Sequence, residues 1–216
     1  MKKIEKVAII DYGVGNLFSV NKAFSRIGFD SFITSDPNEI LASTRIVLPG
    51  VGAFGNGMRK LTEAGLISVV KEFADSGKPL LGICLGAQLL LESSQEFGIT
   101  TGLGIIKGQV VEIPKVSSSE DNIRVPHIGW NNLIYEGGTE STRGTILEAI
   151  PEKSMAYFVH SYMLSPEDSG HRLADVDYHG INISAVIKSD NVTGTQFHPE
   201  KSGEIGLQIL RNFCDS

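Results

Sequence analysis

The strongest chemical signal in the sequence is Gly82-Ile83-Cys84-Leu85-Gly86-Ala87-Gln88, a thiol set between two glycines. An apolar run before it and a helical pattern after it place Cys84 at a strand-to-helix turn, the nucleophile-elbow pattern with cysteine in the serine position. Such a turn forces the nucleophile to a positive φ, and side chains two positions either side would strike neighbouring backbone. Both glycines then have a reason. The thiol lies over a helix N-terminus, whose partial positive charge favours the thiolate, and the Leu85 amide points where an oxyanion would develop. The competing reading is a buried packing cysteine, the commoner fate of a lone Cys.

A nucleophile needs a base, and Thr195-Gln196-Phe197-His198-Pro199-Glu200-Lys201 offers one. Pro199 biases His198 towards extended backbone, so His198 and Glu200 project towards the same side. A carboxylate so placed holds the imidazole in one tautomer and stabilises its cation, the task of a third triad member. Taken alone, the same residues also read as a surface turn with an incidental histidine. His160, in the apolar run Tyr157-Phe158-Val159-His160-Ser161-Tyr162, is the rival base, while His127, His171 and His179 sit in more turn-like contexts.

Gly50-Val51-Gly52-Ala53-Phe54-Gly55 matches G-x-G-x-x-G, so a Rossmann-like dinucleotide-binding protein is the non-enzyme alternative. That fingerprint wants an acid at the end of the next strand, which here ends in Cys84; Glu72 and Asp75 fall on a predicted helix as solvated charges. The turn is better explained as backbone brought close to the reacting carbon, with an amide among Gly50 to Gly52 as a second oxyanion donor. Trp130 reads as core and Cys214 as packing on a closing helix.

The elements that must position these residues alternate in the first half. Strands are expected at Val7 to Ile10, Phe29 to Thr34, Ile46 to Leu48 and Pro79 to Ile83, with Pro49 to Gly52 as a turn. Between them fall a helix carrying Leu17, Val20, Phe24 and Ile27 and stopped by Gly28, a helix opened by Asp36-Pro37, and one helical stretch running to Gly77. This is an α/β pattern: a doubly wound, mostly parallel sheet with helices on both faces. From Leu103 the period shortens towards two, with β-rich runs at Ile105 to Ile113, Ala156 to Leu164, Arg172 to Val176 and Ile181 to Ile187. Antiparallel hairpins are therefore expected on one edge of the sheet. Pro114 to Arg124 reads as a loop, and a helix over Glu204 to Cys214 closes the chain.

Composition narrows the function classes. The 216 residues are 41% hydrophobic and 20% charged, which suits a single globular domain over 1–216 with its own core. With 19 Lys+Arg against 25 Asp+Glu the net charge is −6, so no nucleic-acid partner is expected. The two cysteines, with no ligand-spaced cluster, suggest neither a disulfide framework nor a metal and fit a reducing cytoplasm. Met1-Lys2-Lys3-Ile4-Glu5 leads into an apolar run too short for a signal peptide, so neither export nor a membrane anchor is expected.

Together these residues resemble the triad-type (class I) glutamine amidotransferase family. The match rests on Gly82-Ile83-Cys84-Leu85-Gly86 with Gln88, and on His198-Pro199-Glu200. Asp11-Tyr12-Gly13 with Gly15-Asn16, Pro49-Gly50-Val51-Gly52-Ala53-Phe54, His127-Ile128-Gly129-Trp130-Asn131, Phe158-Val159-His160-Ser161-Tyr162 and Lys201-Ser202 look like one branch of it. In that branch a glutaminase subunit forms a heterodimer with a (β/α)8-barrel cyclase subunit, which uses the ammonia to make imidazole glycerol phosphate in histidine biosynthesis. The resemblance implies Cys84, His198 and Glu200 as the catalytic triad, Leu85 with Val51 or Gly52 as oxyanion donors, and Gln88 gripping glutamine. It implies Asn16, Pro49, Gly50, Trp130, Tyr157 and Lys201 at or near the subunit contact, and no cofactor. A sister branch, serving surface-polysaccharide synthesis through a similar barrel, shares the triad and the turn.

Overall fold

The apolar run Val7–Ile10 forms β1, and all of it is buried because successive side chains reach opposite faces of one sheet. Val7 and Ile9 join a core with Phe24, Ile209 and Phe213; Ala8 and Ile10 join another with Phe54, Leu61 and Phe73. One sheet thus separates two apolar layers, each covered by helices. The computed structural model describes residues 6–115, 123–135 and 138–215. The opening Met1 to Glu5 and most of the expected loop from Pro114 to Arg124 lie outside them.

Helix α1 (Leu17–Arg26) starts at Asn16, whose side chain accepts from the Ser19 amide at 3.2 Å, and is followed by Gly28 at a φ of 83°. After β2 (Ser31–Thr34), α2 (Pro37–Ala42) begins at Asp36, which accepts from the Asn38 amide at 2.8 Å. Strand β3 (Arg45–Gly50) runs two residues further than its apolar core suggested: Pro49 and Gly50 stand opposite Ile83 and Cys84 of β4 (Leu80–Cys84). The helical stretch between these strands is two helices, α3 (Phe54–Glu63) and α4 (Ile67–Asp75). Gly65, at a φ of 70°, lies in the break. Helix α5 (Leu85–Leu89) follows β4 without a connection.

The second half holds β5 (Ser93–Ser94), β6 (Thr100–Thr101), β7 (Gly108–Glu112), β8 (His127–Asn132), β9 (Met155–His160), β10 (Tyr162–Pro166), β11 (Arg172–Tyr178), β12 (Ile181–Ser189), β13 (Val192–Thr195) and α6 (Gly203–Asp215). The large sheet has the order β2-β1-β3-β4-β13-β12-β10-β7-β5-β6, with β11 beside β12. From β2 to β13 neighbours are parallel; the β13–β12, β12–β10 and β10–β7 pairs are antiparallel. The expected hairpin at Tyr178 to Ile181 forms, its two central residues His179 and Gly180 both at positive φ.

The run from Ala156 to Leu164 is not one strand. It breaks at Ser161, and β9 leaves the large sheet to pair with β8 in a separate two-stranded sheet. His127 is therefore a buried strand residue and not part of a turn. Among the described residues no helix is long and apolar enough to cross a membrane.

Candidate active site

Cys84 closes the central strand β4 at a φ of 53° and a ψ of −110°. A Cβ on Gly82 would lie 2.8 Å from the Ala87 backbone, and one on Gly86 only 1.8 Å from the Leu48 carbonyl oxygen. Both flanking glycines are thus demanded by the close approach of α5 to β3 and β4. With β3 and β13 on either side of β4, the strand ends bring three segments to one edge: Val51-Gly52, Cys84-Leu85, and Gln196 to His198.

Of these segments Val51, Gly52, Cys84, Leu85 and His198 line a cavity of about 420 Å³ that also takes in Gln88, Glu96, His160 and Tyr162. Val51 is 42% exposed while Pro49 and Gly50 are buried, so of the expected turn only Val51 and Gly52 reach the surface. The buried Tyr12 hydroxyl donates to the Pro49 carbonyl at 2.7 Å and supports the turn from below. Burial, with Cys84 nearby as the second cause, holds that phenol far above its ordinary range, so it stays protonated. Leu85 opens α5, where a helix leaves its amide unpaired.

His198 Nδ1 lies 2.8 Å from Glu200 Oε1, and both side chains are almost fully buried. The extended backbone of His198 and the single turn of 3-10 helix over Pro199–Lys201 produce this two-residue closure. The His198 amide donates to the Tyr157 carbonyl at 3.0 Å. Ser202 Oγ donates to the His198 carbonyl at 2.7 Å and accepts from the Tyr157 amide at 3.0 Å, so β9 holds the base in place. Burial alone would lower the His198 pKa; hydrogen bonding and charge from Cys84 and Glu200 outweigh it and raise the value to about 9. His198 Nε2 is buried with no hydrogen bond of normal geometry, so its link to the Cys84 sulfur is loose. Catalytic hydrogen bonds are commonly long until substrate is seated.

His160 lies in the same cavity but is already engaged. Its Nδ1 contacts the Tyr162 carbonyl at 2.9 Å and its Nε2 contacts His127 Nδ1 at 3.1 Å. Burial pushes its pKa down to about 3, so it is a neutral, occupied imidazole. Of these two imidazoles only His198 has a ring nitrogen without a partner. Gln88 donates through Nε2 to the Tyr162 carbonyl at 3.0 Å and to Gln196 Oε1 at 3.2 Å, which leaves its own Oε1 for a ligand.

Other expected site residues lie outside the cavity. Asn16 caps α1 at the surface, Lys201 is exposed, and Tyr157 is partly buried on β9. Trp130, read as core, is 51% exposed: β8 alternates, and Trp130 shares its outward face with Ile128. Tyr157 stands opposite Trp130 in the ladder, their rings 5.9 Å apart edge to face. The core reading failed because a two-stranded sheet has one bare face. The sequence reading also missed Glu96, whose Oε2 accepts from the Phe54 amide at 2.6 Å at the start of α3, together with the positioning roles of Gln196 and Ser202.

Residues 8–216 match the family described as Glutamine amidotransferase class-I. The chain belongs to that family. Imidazole glycerol phosphate synthase subunit HisH 1 of Legionella pneumophila (strain Lens) is 50% identical over 210 residues, covering 97% of this chain and 99% of the relative. Subunit HisH of Geobacillus sp. (strain WCH70) is 45% identical over 208 residues, covering 96% and 95%. Among solved structures, PurLQS from Thermotoga maritima superposes with a TM-score of 0.71 at 22% identity, covering 99% of both chains, so the two share a fold. In this amidotransferase the Cys84 elbow and His198, held from behind by Glu200, meet at one cavity.

Proposed function

We propose that this amidotransferase is the glutaminase subunit of an imidazole glycerol phosphate synthase. It hydrolyses glutamine to glutamate and passes the ammonia to a (β/α)8-barrel cyclase subunit in cytoplasmic histidine biosynthesis, using the whole chain as one glutaminase domain. The observation that carries the chemistry is His198: it is held by Glu200 on Nδ1, while its unpartnered Nε2 belongs to the cavity that contains the Cys84 thiol. The names of the relatives carry the pathway.

In this reading the Cys84 sulfur attacks the side-chain amide carbon of glutamine, and His198 takes the thiol proton. The tetrahedral oxyanion is met by the Leu85 amide and one from Val51 or Gly52. The imidazolium then protonates the departing nitrogen, ammonia leaves, and a glutamyl thioester remains. His198 next takes a proton from water, whose oxygen attacks the thioester; collapse releases glutamate and returns the proton to Cys84. Glu200 orients the ring throughout. Gln88 Oε1 accepts from the substrate, and the Glu96 carboxylate meets its α-ammonium.

Ammonia that escaped into water would become ammonium, which cannot attack an electrophile, so the site needs a partner close by. The exposed apolar face of β8 and β9, with Ile128, Trp130 and Met155, suits such a contact, and Asn16 and Lys201 are exposed as well. Steady-state glutamate release measured alone, with the barrel subunit, and with the subunit plus its acceptor ligand tests the proposal. An occupied partner should raise kcat by about 100-fold or more, the worth of one added oxyanion donor, with a smaller change in KM. Equal turnover in all three would remove the coupling.

A further inference from the structure

Beyond the triad, a set of buried polar groups connects β8 to the nucleophile, and the direction of every hydrogen bond in it can be deduced. The Tyr162 carbonyl oxygen only accepts, so His160 Nδ1, 2.9 Å away, carries a proton. His160 is neutral, so its Nε2 is an acceptor and His127 Nδ1, at 3.1 Å, is the donor. The same carbonyl faces Gln88 at 3.0 Å, which must present its NH2 group there. That nitrogen meets Gln196 at 3.2 Å, so Gln196 presents its oxygen to Gln88. Its remaining atom, the NH2 group, is then turned to the Cys84 sulfur at 3.9 Å. Amide orientations in Gln side chains follow from such networks, and here one fixed acceptor determines both.

We propose that Gln196 is a positioning residue for the nucleophile: its side-chain N–H, oriented through Gln88, Tyr162, His160 and His127, donates to the Cys84 sulfur and holds it as the thiolate partner of the protonated His198 ring. This rests on Cys84 being the nucleophile. The geometry supports it in three ways. Gln196 is fully buried, and its own amide is tied to the Ala185 carbonyl at 2.8 Å, so it cannot drift. A donor facing sulfur favours the thiolate over S–H. The Val159 carbonyl, the acceptor facing the sulfur, is at a long 4.0 Å, and His198 Nε2 has no other partner, so the proton shared with the sulfur rests on the ring. To the thiolate the same N–H makes a charge-assisted hydrogen bond, worth more than one to the neutral thiol.

The test uses the full chain with its barrel partner. Gln196→Glu keeps the oxygen that Gln88 needs and replaces the N–H aimed at sulfur by a second oxygen; Gln196→Met removes both functions at similar size. The readouts are kcat and KM for glutamine, the pH profile of Cys84 alkylation by iodoacetamide, and thermal melting. The titratable groups around the sulfur are His198, Tyr12, His160 and Glu96; Gln196→Met leaves all four as they are, whereas Gln196→Glu adds a carboxyl, so the pH profile is read on Gln196→Met. The expected result is a fall in kcat of about 10- to 100-fold, the range for a hydrogen bond to a charged group, with KM within about threefold. The alkylation profile of Gln196→Met should move to higher pH, with cooperative melting retained. An alkylation profile of Gln196→Met that overlays the parent, or a KM that rises as far as kcat falls, would overturn the role of Gln196. Glutaminase activity surviving Cys84→Ala in the same assay would instead overturn the nucleophile assignment, so the two failures are distinguishable.

Discussion

His198 Nδ1 and Glu200 Oε1 lie 2.8 Å apart, two residues along the chain and both side chains at most 3% exposed. A charge pair so deeply buried is costly unless its geometry is good and the charge has a use. Here the carboxylate leaves the imidazole one free nitrogen, in the Cys84 cavity. His198→Ala should therefore cost on the order of 10⁴- to 10⁶-fold in glutaminase kcat, since base and nucleophile act as a unit. Glu200→Gln should cost less, because Glu200 orients and transfers no proton. Steady-state glutamate release checks both; a larger loss from His160→Ala at unchanged KM would move the base.

The pH dependence follows from the same pair. His198 titrates near 9 in the fold against an ordinary 6.5, so its stabilising contribution is complete below about pH 6.5 and is lost as pH rises through about 9. Glutaminase kcat should fall on the same limb, as the ring loses the proton it must give to departing ammonia. Glu200→Gln removes one of the raising causes and should shift that limb to lower pH, read from kcat–pH profiles.

Cys84 and Cys214 provide an internal comparison. Cys84 lines the cavity, whereas Cys214 is buried in α6 against the core. A glutamine-like electrophile should label Cys84 alone, with free glutamine protecting, as peptide mass spectrometry would show. Equal labelling of both would remove the activated-thiol account. Cys84→Ala should abolish glutamine hydrolysis and leave ammonia-dependent synthesis by the partner intact.

Glu96 joins the substrate cavity to the start of α3 through the Phe54 amide at 2.6 Å. Glu96→Gln keeps an acceptor for that amide and removes the charge that meets the α-ammonium. KM for glutamine should rise by about 10-fold or more with kcat near parental. A fall in kcat at constant KM would assign Glu96 to the turn and not to the substrate.

Gly86→Ala should fail to fold or lose more than about 3 kcal/mol in denaturant melts, since its Cβ would stand 1.8 Å from the Leu48 carbonyl oxygen. Normal stability would contradict the elbow geometry.

Much of this was legible before any coordinates. The four-residue run at β1, the Asp36-Pro37 start and the glycines around Cys84 each encode one local requirement, and the structure meets all of them. The contact between His198 and Glu200 was legible because proline and spacing act within three residues. Long-range pairing was not. Whether His127 lies in a turn or a buried strand depends on β9 leaving the large sheet, and Trp130 is exposed because no described residue covers the far face of that pair. Glu96 and Gln196 were silent for the same reason: their meaning comes from the residues that other strands bring beside them.

The central claim is that nitrogen freed at Cys84 is used by a barrel cyclase. Glutamine carrying heavy nitrogen at the side-chain amide, supplied to this chain with a cyclase subunit and its acceptor in an excess of unlabelled ammonium, tests it directly. The account predicts that heavy nitrogen appears in imidazole glycerol phosphate undiluted by the bulk pool, and that Cys84→Ala abolishes the labelling. Product bearing only unlabelled nitrogen, with the heavy label found in free ammonium, would contradict it.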